Sequence, residues 1–132
     1  MADKIKKILI IDDEEDFSFF VGRNLEREGQ FKVISANNGQ QGLDLAKQEE
    51  VELILLDIMM PGINGFDVLA RLKEDPKTKA IPVIMLTGKD DQKSMEIAAK
   101  LQNADYIIKP VEIDYLRFRI EQVIQNSQNR IT

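Results

Sequence analysis

Five polar residues of this 132-residue chain stand at or just past the ends of apolar runs. Asp12 and Asp13 follow "ILII", Asp57 follows "LILL", Thr87 closes "PVIMLT", and Lys109 follows "DYII". Together they are three carboxylates, a hydroxyl and an ammonium. Carboxylates brought to one place repel one another, and a divalent cation with a lysine would hold them there. The three negative charges of Asp12, Asp13 and Asp57 are balanced by Mg²⁺ plus Lys109, which suits a hard, oxygen-ligated cation. Each residue alone has a plainer reading. "DDEED" can be an acidic first turn favoured by the helix dipole, Asp57 can cap a turn, Thr87 can be an ordinary strand hydroxyl, and Lys109 can be solvated. Their joint placement points to a site.

Composition narrows the chemistry. There is no histidine, which excludes a histidine general base, a histidine zinc ligand and a phosphohistidine carrier. There is no cysteine, hence no disulfide or thiolate metal site. That usage fits the cytoplasm. The net charge of −5 argues against direct binding of nucleic acid or an anionic membrane by bulk electrostatics. The opening "MADKIKKILIID" is basic then apolar, but Asp12 cuts the apolar run too short for a signal peptide. No run reaches membrane-spanning length, so no membrane insertion is expected.

Elements that would position these residues recur along the chain. Strands are expected over 7–11, 31–36, 52–56, 82–87 and 105–108. Helices are expected over 15–28, 40–48, 65–73, 92–101 and 113–125, from apolar spacings of three and four. In the first helix Phe17, Phe20, Val21 and Leu25 form the expected apolar face. Gly29, Asn38-Gly39 and Asp75-Pro76 punctuate the pattern. Five β-α units predict a parallel sheet with helices on both faces, and the runs "ILII", "LILL" and "VIML" read as strands buried on both sides. The chain reads as one domain with its core at about 5–125 and a polar tail or linker start at 126–132. In open α/β sheets, ligands sit beyond the carboxyl ends of the strands. Asp57 ends its strand because that edge is where the chemistry is.

The set Asp12-Asp13, "LLDIMMPGINGFDVL", "VIMLTG" and "YIIKP" resembles the receiver domain of bacterial response regulators, over essentially the whole chain and in matching order. Each motif is modest alone; the combination is specific. The resemblance implies a doubly wound, flavodoxin-like (βα)5 fold with strand order 2-1-3-4-5. It implies that Asp57 accepts a phosphoryl group from a histidine kinase or phosphotransfer protein. Asp12 and Asp13 would hold Mg²⁺, with Asp57 and the backbone carbonyl of Met59 completing the protein ligands. Lys109 would contact the phosphoryl oxygens, and Thr87 would hydrogen-bond one of them after transfer. Tyr106 matches the aromatic that moves inward when the threonine shifts. The surface from 92–101 through Tyr106 and Ile108 to the last helix would then change its partner binding. The domain would catalyse its own aspartyl phosphorylation and dephosphorylation while serving mainly in signalling. Its target would be a downstream protein or a fused output domain, and it would be a monomer or a phosphorylation-dependent dimer. The family also implies a cis bond at Lys109-Pro110. Where it commonly has a Gly-Ala pair before the fifth strand, this chain has "LQNADY", and Asn103 could supply the left-handed turn.

A carboxylate is a weak nucleophile, so such a site must hold it in line and draw charge off the incoming phosphoryl. The acyl phosphate adds roughly two negative charges, which slack donors such as Thr87 can then meet. By the resemblance Met59 and Lys89 flank the path of an attacking water; Met59 has no group to orient it, and Lys89 would pair with the phosphoryl oxygens and hold the product, so slow intrinsic loss of phosphate is expected. Three other readings fit less well. A haloacid-dehalogenase-type phosphatase needs a second aspartate where Met59 stands. A flavin-binding relative of flavodoxin needs a phosphate loop where "DDEEDF" would repel phosphate. A structural pseudo-receiver lacks site residues, and none is missing here.

Overall fold

The computed structural model describes residues 4–88, 96 and 104–131. Five strands, β1 (Lys6–Ile11), β2 (Phe31–Ala36), β3 (Leu53–Asp57), β4 (Val83–Thr87) and β5 (Ala104–Ile108), form one sheet in the order β2-β1-β3-β4-β5. All four pairings are parallel. Helices α1 (Glu15–Glu26), α2 (Gly39–Gln48), α3 (Gly65–Glu74) and α4 (Ile113–Ile131) complete the described elements. This is the doubly wound, flavodoxin-like arrangement expected from the sequence. The segment 92–101 and Asn103 lie outside the described residues.

Strand side chains alternate between two cores, as the period of two requires. Leu9, Ile11, Ile54, Leu56, Val83 and Met85 face α2 and α3. Ile8, Ile10, Leu53, Leu55, Ile84, Leu86 and Ile107 face α1 and α4. Both faces are covered, so β1, β3 and β4 end in fully buried runs.

Local signals set the helix ends. Asn38 caps α2 by accepting from Gln41 N at 2.8 Å, and Asn64 caps α3 by accepting from Asp67 N at 3.0 Å. Two expectations are corrected. Phe20 is 54% exposed, while Ser18, Val21, Gly22 and Leu25 are the buried stripe of α1. Those four keep the i, i+3, i+4, i+7 spacing, and Phe20 lies about 100° from Val21 on the helix wheel. The polar run after Gln125 continues α4 to Ile131, because it holds neither glycine nor proline to stop a helix. No helix among the described residues is long and apolar enough to cross a membrane.

Candidate functional site at the carboxyl edge of the sheet

The strand register brings the predicted residues to one edge. Ile11 pairs with Leu56, so Asp12 and Asp57 each stand one residue further on, side by side. Asp57 pairs with Leu86, and Thr87 with Ile108, which precedes Lys109. The ladders continue past the strands: Asp12 N donates to Ala36 O at 3.0 Å, Ile58 N to Leu86 O at 2.9 Å, and Lys109 N to Thr87 O at 2.8 Å. By alternation, Asp12, Asp57 and Lys109 share the sheet face of Ile10, Leu55 and Ile107. Thr87 and Tyr106 share the opposite face with Met85, against whose cluster Tyr106 packs.

The turn after β3 holds Asp57 in place. Gly62, after Pro61, takes φ +78°, the left-handed backbone that favours glycine. Gly65 N then donates to Ile58 O at 2.9 Å. A Cβ at Gly65 would collide with the Asp57 carbonyl oxygen and lie 2.7 Å from Ile58 Cα. Only glycine lets the first turn of α3 approach the Asp57 backbone this closely.

Carboxylate oxygens of Asp12, Asp13 and Asp57 lie within 4.8 Å of one another. Asp12 and Asp57 are buried, while Asp13 is exposed. Asp12 is well satisfied: Oδ1 accepts from Glu14 N at 2.9 Å, and Oδ2 accepts from Lys109 Nζ at 2.9 Å. Asp57 is not. Its Oδ1 accepts a long bond from Met59 N at 3.3 Å, and its Oδ2 lies 3.9 Å from Lys109 Nζ, beyond hydrogen-bond reach. Burial, with the Asp12 charge and more weakly that of Asp13, therefore pushes the Asp57 carboxyl up to about 7, against the pull of Lys109 and the Met59 amide. Burial works against the Lys109 ammonium, but its bonds to Asp12 and Glu14 and the charge of Asp57 hold it above its ordinary value.

Two partners of Lys109 were not expected from the sequence. Glu14 Oε1 accepts from Nζ at 3.0 Å, and the Phe17 ring lies beneath it at 4.2 Å from the centroid. Glu14 sits in the "DDEED" stretch, whose crowding was the available signal. Thr87 is fully buried, and its Oγ1 donates only a long 3.4 Å bond, to Gly88 O, among the described residues. The Lys109-Pro110 bond is cis, as expected. Met59 is 65% exposed. Lys89 lies outside the described residues.

The profile of the response regulator receiver domain matches residues 8–121. Protein PilH of Pseudomonas aeruginosa is 41% identical over 119 residues, spanning 89% of this chain and 97% of PilH. The alkaline phosphatase synthesis transcriptional regulatory protein PhoP of Bacillus subtilis is 34% identical, spanning 93% of this chain and 50% of PhoP. The chain thus spans about half the length of several curated relatives it matches. The crystal structure of a response regulator receiver domain protein from Clostridium thermocellum superposes with a TM-score of 0.84 at 30% identity, covering 94% of this chain and 98% of that one.

Proposed function

Because the chain belongs to the response regulator receiver domain family, we propose that Asp57 is its phosphoryl acceptor and that Lys109, Thr87 and Tyr106 serve the transfer and its read-out. Receiver domains are the phosphorylation-activated switches of two-component systems. The observation that carries the reading is the state of Asp57: a buried carboxylate at a strand end, met only by a long bond among the described residues and crowded by two further carboxylates. Such an anion is only weakly stabilised by its surroundings, which leaves its oxygens available for reaction.

In the transfer, Asp57 attacks phosphorus with a carboxylate oxygen, and the donor's bond to phosphorus breaks with its electrons leaving on the donor. The Lys109 ammonium faces the negative phosphoryl oxygens. The clustered oxygens of Asp12, Asp13 and Asp57 fit a hard divalent cation. Mg²⁺, held by these carboxylates and the Met59 backbone carbonyl, would neutralise charge on the phosphoryl group. Thr87 is free to turn its hydroxyl toward the new oxygens because its present bond is long. Tyr106, on the same sheet face, follows into the space that Thr87 leaves. The exposed edge at Ile108 and α4 then presents a different surface, a shift between two populated states.

Receiver domains work with kinases and output modules. For this chain the donor is a histidine kinase or a phosphotransfer protein in the cytoplasm. The recipient of the signal is a separate protein or a fused output domain, met as a monomer or as a phosphorylation-dependent dimer. Acetyl phosphate with Mg²⁺ should add one phosphoryl group, seen by mass spectrometry and absent in Asp57→Asn. Equal labelling of Asp57→Asn would place the acceptor elsewhere.

A further inference from the structure

We propose that Glu14 is a positioning residue for this transfer: it holds the Lys109 ammonium toward Asp12 and competes for it with a phosphoryl group on Asp57. The proposal rests on Asp57 being the acceptor. Lys109 Nζ lies 2.9 Å from Asp12 and 3.0 Å from Glu14, but 3.9 Å from Asp57. An ammonium has three N–H donors, and two of them are committed to these near partners. The third stays open, but the two near partners keep Nζ 3.9 Å from Asp57, and any movement toward a phosphoryl group there works against them.

The two near partners differ. The Asp12 side chain is fully buried, while that of Glu14 is 64% exposed. Glu14 can return to water at little cost and is the partner that yields. It is also free of the usual duty of its position. Glu14 is the N-cap of α1, yet its side chain makes no capping bond. Glu14's own amide donates to Asp12 Oδ1 at 2.9 Å. The Glu14 carboxylate reaches across 95 positions of sequence to Lys109. An incoming phosphoryl group brings about two negative charges and outcompetes one hydrated carboxylate.

An ion pair with one exposed partner is weak, so its loss should raise the rate by roughly two- to fivefold. The test follows the rate of acetyl phosphate labelling with Mg²⁺ in wild type, Glu14→Gln and Glu15→Gln, with Asp57→Asn as the check on the acceptor. Glu15 removes an equal charge one residue away, but its carboxylate accepts from Asn37 Nδ2 at 3.0 Å rather than from Lys109. Glu14→Gln should be faster and Glu15→Gln close to wild type. In parallel, the NMR resonances of the Lys109 side-chain Cε and Nζ should move in Glu14→Gln and not in Glu15→Gln. If Glu14→Gln is no faster, or if both variants speed labelling alike, Glu14 does not act through Lys109. Unmoved Lys109 resonances would overturn the proposal as well. Labelling that survives in Asp57→Asn would sink the acceptor assignment instead, while the resonances would still report on the pair.

Discussion

Asp57→Asn should make the domain more stable at neutral pH when divalent cations are absent. The substitution keeps the shape of the side chain and removes its charge. Burial and the Asp12 carboxylate push the Asp57 carboxyl from 3.8 to about 7. The sign is fixed by linkage. Between these values the unfolded chain has released a proton that the folded chain keeps, so stability falls as pH rises through the interval and levels off above about 7. Below about 4 both states are protonated and the term vanishes. At about 1.4 kcal/mol per tenfold change in proton affinity, the full cost at pH 8 has a ceiling of about 4 kcal/mol. Some relaxation around the ionised group lowers that, so a gain of about 2–4 kcal/mol is expected. For a domain of this size it raises the melting temperature by roughly 10 °C. The assay is thermal unfolding by circular dichroism in EDTA, wild type against Asp57→Asn, at pH 8 and pH 5. The gain at pH 5 should be less than half that at pH 8. A variant that melts lower than wild type at pH 8, or a gain independent of pH, would refute the electrostatic account of the site.

Two further outcomes test the neighbouring residues. Asp13→Ala should weaken Mg²⁺ binding by about tenfold or more, measured by calorimetry, while melting without metal holds or rises, since one of three crowded carboxylates is gone; a large loss of stability would assign Asp13 to the helix end instead. Met59→Asn should speed loss of phosphate from the purified phosphoprotein, because it places a water-orienting amide two residues beyond the acceptor. Unchanged or slower release would show that Met59 does not guard the water path.

The carboxyl edge was legible because a parallel sheet marks it twice. Buried strands read as unbroken apolar runs, and the first polar residue after each run falls at the same edge. Asp12, Asp57, Thr87 and Lys109 could therefore be found without knowing the register. The partners of Lys109 could not. Glu14 and Phe17 meet it only after the four strands from β1 to β5 have aligned, and no local pattern joins residues so far apart. The role of Gly65 was hidden for the same reason, since its close neighbour is the Asp57 backbone rather than anything within α3. Phe20 misled because hydrophobicity alone cannot tell which of two adjacent phenylalanines, Phe19 or Phe20, faces inward, and neither does. The length of α4 was underestimated because polar composition was read as a tail, although nothing in the run 126–131 breaks a helix.

The instability of the resting site and its function have one physical origin. Asp12, Asp13 and Asp57 are held together by the register of β1 and β3, which the two cores on either side of the sheet stabilise. That packing forces charges together and, among the described residues, leaves Asp57 with only a long bond from Met59 N. A divalent cation that relieves the crowding binds the folded state and so stabilises it by mass action. The relief acts on the face of Ile10 and Leu55, whereas the hydroxyl of Thr87 and the ring of Tyr106 lie on the face of Met85. On the proposed reading, a phosphoryl group on Asp57 would stand at the rim where both faces end, within reach of Lys109 on one side and Thr87 on the other, and a change in local charge would become a change in packing beneath Tyr106.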